Sequence, residues 1–120
     1  MRYLIVAAAA AMAMAAPAAA QQNVGGRYQA QGQNFDGSPY SGAAEITVTS
    51  DNTCRIVWRT GGTTSQGICM RNGSTLAASY QLGRSVGLVI YQIADDGSLR
   101  GLWTIADKSG VGRELLTPVK

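Results

Sequence analysis

The chain has no histidine, one phenylalanine, three prolines and only two cysteines. Without histidine it lacks the commonest general base at neutral pH and the commonest nitrogen ligand for zinc. The remaining acids do not make up the loss. Asp36, Asp51, Asp95 and Asp96 lie in turn sequences where Asp is expected, and Glu45 falls on an outward strand position. No nucleophile is placed beside a base, so no catalytic residue, metal site or cofactor is expected. The protein is read as a non-enzyme. Basic residues are spread singly along the chain, without the dense stripe that nucleic acid requires, which excludes that partner. After residue 20 there is no apolar run long enough to cross a membrane as a helix. No stretch shows convincing helical periodicity.

What is present begins with an export signal. Arg2 gives a positive start, Leu4 to about Ala16 an apolar run, and Ala18-Ala19-Ala20 a small-residue cleavage site, so residues 1–20 are expected to be removed. Residues 21–120 then form a single domain, periplasmic or secreted, with no integral membrane segment after cleavage. Losing Arg2 from ten basic residues leaves nine against seven acidic ones, a net charge of +2.

The organising stretch runs from Asn52 to Met70. Gly61-Gly62 between two β-prone runs is a two-residue hairpin turn, because both positions tolerate positive φ. With Thr60 opposite Thr63, counting outward brings Cys54 opposite Cys69. In an oxidising compartment the pair is expected as a disulfide, closing a loop of about 15 residues worth roughly 3 kcal/mol. Cys54, Ile56 and Trp58 then face inward against Cys69, Gly67 and Ser65. Arg55, Val57 and Arg59, with Ile68 across the ladder, occupy the outer face. Arginine interleaved with apolar residues is an interface-like composition, and these four are the candidate partner-binding face.

On either side the pattern is short alternating strands and tight turns. Tyr28 and Ala30 point one way; Ala44, Ile46 and Val48 point inward. A loop of Asp51–Thr53 is expected to set Ile46 opposite Trp58 and Val48 opposite Ile56. Leu76, Ala78 and Tyr80 share a face. The strand from Val86 to Ile93 is apolar on both sides, which predicts either deep burial or a covered outer face. Asp95-Asp96-Gly97 is a hairpin loop that sets Ile93 opposite Leu99, Tyr91 opposite Gly101 and Val89 opposite Trp103. A loop at 107–112 precedes the last strand. Two turns share one grammar, Asp36-Gly37-Ser38 and Asp96-Gly97-Ser98, and in each a later glycine (Gly42, Gly101) is expected to make room for a cross-strand aromatic.

Eight short strands in about 95 residues predict an all-β fold, a small antiparallel up-and-down barrel, because closure removes both sheet edges. A two-sheet β-sandwich is the alternative. Large residues facing small ones fit a narrow lumen, with Trp58, Tyr91, Trp103 and Glu114 as candidate lumen residues. Glu114 shares a strand face with Gly112 and Leu116. If that face is inward, its carboxylate needs a partner such as Arg84 or Arg27, and an ion pair at the barrel mouth is the favoured account over a ligand contact.

The segments Gly26-Arg27-Tyr28, Asn34-x-Asp36-Gly37-Ser38-x-Tyr40-x-Gly42, Val57-Trp58, Tyr91-Gln92-Ile93, Asp96-Gly97-Ser98-Leu99-x-Gly101-x-Trp103 and Gly112-x-Glu114-x-Leu116 span nearly the whole exported chain. Through them the sequence resembles small exported alphaproteobacterial proteins labelled fibronectin-binding protein. The resemblance implies a binding role toward an extracellular or envelope protein, and a protein is the expected partner. The alternative is a small barrel inhibitor of an exported hydrolase, which would use a mobile N-terminus at Gln21–Val24 or an outstanding loop. A small apolar ligand in the lumen ranks below both, since so short a barrel has little room beyond its own side chains.

Overall fold

The structure, a computed structural model, describes residues 23–120. The export signal expected at residues 1–20 lies outside them. Eight strands follow one another in sequence: β1 Gly26–Gln33, β2 Pro39–Val48, β3 Thr53–Thr60, β4 Thr63–Asn72, β5 Thr75–Leu82, β6 Ser85–Ile93, β7 Leu99–Ile105 and β8 Gly112–Pro118. Each pairs antiparallel with the next, and β8 pairs back onto β1 with Ala30 opposite Leu116. The sheet is therefore a closed up-and-down barrel, and the sandwich alternative is set aside.

The central hairpin has the expected register. Gly61 and Gly62 take φ of 57° and 80°, both in the left-handed region that a type I′ turn needs. Thr60 faces Thr63 and Cys54 faces Cys69. The two sulfurs are bonded, with the Cα atoms 4.9 Å apart. The β6–β7 register is likewise as expected, with Ile93, Tyr91 and Val89 opposite Leu99, Gly101 and Trp103.

One register differs. Ile46 faces Ile56, Ala44 faces Trp58 and Val48 faces Cys54. The loop is Ser50–Asn52 rather than Asp51–Thr53, one residue earlier at each end. Ser50 decides this locally: its Oγ accepts from Thr53 N–H at 3.1 Å, while Thr49 N–H donates to the Thr53 carbonyl at 3.0 Å. A shift of two in pairing leaves every side chain on its expected face. Ala44 and Ile46 are buried, but Val48 has reached the barrel rim and is half exposed.

The two Asp-Gly-Ser turns are built alike. Asp36 Oδ1 accepts from the Ser38 N–H and hydroxyl at 2.9 and 2.6 Å, and Asp96 Oδ1 from those of Ser98 at 2.9 and 2.5 Å. The later glycines differ in purpose. A Cβ at Gly101 would fall 2.6 Å from the Tyr91 ring, so this glycine does make room for an aromatic. At Gly42 a Cβ would strike the Arg59 carbonyl at 2.0 Å, so there the room is for backbone.

The core fills the lumen from below: Ile46, Ile56, Leu76, Leu99 and Leu116 are 2 % exposed or less. Val24 closes that end, buried, with its carbonyl accepting from the Tyr28 hydroxyl at 2.6 Å.

Candidate binding sites

Two features of the barrel have the composition of recognition sites, one inside and one outside. The inner one is built on Glu114. Alternation along β8 points Glu114 inward between the buried Gly112 and Leu116, where it is 8 % exposed. Among the described residues no arginine pairs with it; the expected pairing with Arg84 or Arg27 is replaced by three neutral donors. Trp58 Nε1–H donates to Oε1 at 3.1 Å, the Tyr91 hydroxyl donates to the same oxygen at 2.5 Å, and the Tyr40 hydroxyl donates to Oε2 at 2.7 Å. Trp58 Nε1–H also reaches the Tyr91 oxygen at 3.0 Å. Charge-assisted hydrogen bonds of this kind offset the cost of burying a carboxylate.

The tyrosines register the charge. Burial first, and then the Glu114 carboxylate, push the Tyr40 and Tyr91 hydroxyls well above the ordinary phenol range. Tyr80 is pushed up to about 12 by burial and, secondarily, by the same charge. Its own hydroxyl donates to the Thr104 carbonyl at 2.8 Å.

Each of these tyrosine rings, and that of Trp103, lies over a glycine on a neighbouring strand. Tyr40 covers Gly32, Tyr80 covers Gly87, Tyr91 covers Gly101 and Trp103 covers Gly112, each pair also being register partners. The glycines let wide rings stand in a narrow barrel and line its upper half. Trp58 meets Tyr80 edge to face at 5.4 Å, and Phe35 stacks on Trp103 at 4.8 Å. Between these rings and the β1–β2, β3–β4 and β5–β6 turns lies a cavity of about 340 Å³. Of the candidate lumen residues, Trp58, Tyr91, Trp103 and Glu114 all contribute to its wall, joined by Tyr40 and Tyr80. Trp103 Nε1 is buried and makes no hydrogen bond among the described residues, though it lies near enough to the Tyr40 oxygen to temper that hydroxyl's rise slightly. Sequence reading starts the second strand at Tyr40 but names its inward residues only from Ala44, and so missed Tyr40. The signal was Gly32, whose place opposite Tyr40 follows once the first hairpin is registered.

The outer feature is an apolar strip. Arg55, Val57, Arg59 and Ile68 do share the outer face, and further large apolar side chains lie outward on β4, β6 and β7, with Ala77 and Ser79 of β5 between them. One row across the barrel reads Thr53, Met70, Ala77, Ile90, Leu102, Arg113; the next reads Arg55, Ile68, Ser79, Leu88, Thr104. Ile68, Met70, Val86, Leu88, Ile90 and Leu102 are each at least half exposed. The deep burial expected of β6 therefore holds for its inner side only, where Val89 and Tyr91 lie. Its outer side is a surface. Outward positions of β3 to β8 carry Arg55, Arg59, Arg100 and Arg113 and no carboxylate.

No family model matches the chain, and no curated protein matches it. Solved structures do. The redesigned β-barrel mFAP1 bound to DFHBI aligns with a TM-score of 0.67 at 19% identity, over 77% of this chain and 93% of its own. A de novo designed fluorescence-activating β-barrel aligns with a TM-score of 0.64 at 13% identity, over 79% and 93%. A mutant of the fluorescent protein UnaG aligns at 0.51 and 11%, over 80% and 96%. At these identities the likeness is one of fold, and it defines the chain as a closed eight-stranded antiparallel β-barrel.

Among the described residues no group of three or more potential metal ligands comes together. No described helix is long and apolar enough to cross a membrane.

Proposed function

We propose that the protein is an exported, non-enzymatic binding protein that recognises an extracellular or envelope protein through the outer face of β3 to β7. One observation carries this reading: six large apolar side chains are exposed on the outer face, Val86, Leu88, Ile90 and Leu102 on the adjacent β6 and β7 and Ile68 and Met70 on β4 across Ser79 and Ala77, and the charges on the outward positions of β3 to β7 are all arginines. An exposed apolar patch with a polar rim is the composition of a docking site. The cationic rim selects a partner with carboxylates around an apolar centre. A second copy of the same chain is disfavoured, because two-fold pairing would bring arginine rims together. A lipid surface is disfavoured too, since the strip holds no Trp, Tyr or Phe to anchor at a headgroup layer. The disulfide keeps β3 and β4 rigid beneath the strip and suits an oxidising compartment. The resemblance to fibronectin-binding-labelled proteins agrees with a protein partner.

The hydrolase-inhibitor alternative draws less support. Val24 is buried rather than projecting. The β7–β8 loop is tied down by Thr104 Oγ1 donating to the Gly110 carbonyl at 2.8 Å and by Phe35 packing on Gly110.

The test is capture from envelope extract and culture medium on the immobilised protein, with Leu88→Asp and Arg55→Glu/Arg59→Glu variants alongside. A partner retained by the parent and lost from both variants supports the reading. Retention unchanged in both would remove this face. Flotation with anionic vesicles in place of protein capture would move the assignment to a membrane.

A further inference from the structure

The cavity at the barrel mouth is independent of the outer face, and its chemistry is specific. Among the described residues that line it, Glu114 alone is charged. The carboxylate is held by Trp58, Tyr91 and Tyr40, all neutral, so the negative charge is hydrogen-bonded but has no counter-charge beside it among the described residues. Buried anions are ordinarily paired with a cation, because hydrogen bonds fix the group in place without neutralising its field. That field is felt across the pocket, at Tyr80 as well as at the two tyrosines bonded to it. The rings of Trp58, Tyr80 and Trp103 line the same cavity, and an aromatic face, unlike its edge, attracts positive charge. A salt bridge would have closed this site; an aromatic wall leaves it open.

We infer that the barrel mouth binds a small organic cation, an alkyl- or aryl-ammonium group held among Trp58, Tyr80 and Trp103 with Glu114 as its counter-charge. Primary amines would need acceptors beyond those the occupied carboxylate offers. A quaternary or heavily alkylated nitrogen needs none, and the aromatic wall suits it better. The volume of about 340 Å³ admits one such group with a ring or short chain attached. Thr60, Gly61 and Thr63 at the β3–β4 turn flank its opening.

Trp58 and Trp103 are the chain's only tryptophans, and both line the cavity, so their fluorescence reports on it directly. The purified protein is titrated with benzyltrimethylammonium, benzyl alcohol and benzoate, probes that share a ring and differ in charge. Saturable quenching by the cation is expected, with affinity at least about tenfold above benzyl alcohol, and none by benzoate. Glu114→Gln should erase the preference for the cation over the alcohol. Ser65→Leu should abolish binding by filling the cavity beside Trp58 while leaving Glu114 untouched, and its near-ultraviolet circular dichroism would show the fold intact. Equal affinity for cation and alcohol in the parent, or no saturation by the cation, would overturn the inference. So would binding that survives Ser65→Leu, an outcome readable even if Glu114→Gln fails to fold.

Discussion

The indole of Trp103 lies across the backbone of its register partner Gly112, so closely that a Cβ there would stand 2.0 Å from Cε2. The same construction recurs at Tyr80 over Gly87 and Tyr91 over Gly101. It explains how a barrel of about a hundred residues holds this many rings. Gly112→Ala should therefore displace Trp103 and its stacking partner Phe35, costing about 1–3 kcal/mol by overpacking. The change is read as altered tryptophan emission together with a lower midpoint in urea.

A different penalty applies where glycine faces backbone. A Cβ on Gly67 would fall 1.6 Å from the Ser79 carbonyl, which cannot rotate away as a ring can. Gly67→Ala should thus be more damaging than Gly101→Ala, whose Cβ meets the Tyr91 ring at 2.6 Å. Urea denaturation of the two variants ranks them; the reverse order would mean that β4 and β5 part readily at this point.

Removing the disulfide with Cys54→Ser and Cys69→Ser should cost roughly 2–4 kcal/mol, for a bridge closing a 15-residue separation. Denatured, unreduced protein should show no titratable thiol.

Tyr91→Phe deletes the shortest hydrogen bond to Glu114 and leaves Oε1 with Trp58 alone. A bond to a buried charge contributes about 1.5–3 kcal/mol, so a loss of that order is expected in urea denaturation. Tyr40→Phe, at a more exposed site with a single bond to Oε2, should cost less.

The tyrosines also set the alkaline limit. Tyr28, Tyr40, Tyr80 and Tyr91 all have their hydroxyls raised on folding, chiefly by burial. Below the unfolded phenol value, near pH ~10, both states are protonated and the stabilisation is fully present. Above it the unfolded chain releases protons that the folded chain retains, so stability falls as pH rises toward the folded values. The fully buried Tyr91 alone steepens that fall by about 1.4 kcal/mol per pH unit. Urea midpoints followed from mildly to strongly alkaline pH should be flat at first and then drop, with a shallower drop in Tyr91→Phe.

Much of the fold was written in local sequence. Gly61-Gly62 requires positive φ, which fixes the turn, the register and hence the meeting of Cys54 with Cys69. Alternation along each strand placed Tyr28, Ile56, Trp58 and Tyr91 inward, since a period of two leaves no other choice once one face is buried. Local sequence alone did not reveal the loop Ser50–Asn52, because the Ser50 hydroxyl favours the earlier turn, and two registers that differ by two keep the same faces. The partners of Glu114 were also beyond it. They come from β2, β3 and β6, strands brought around one carboxylate only by closure of the barrel, and closure likewise decided that the outer side of β6 faces solvent. Position along the chain fixed which way each residue points; what it points at depended on the curvature of the whole sheet.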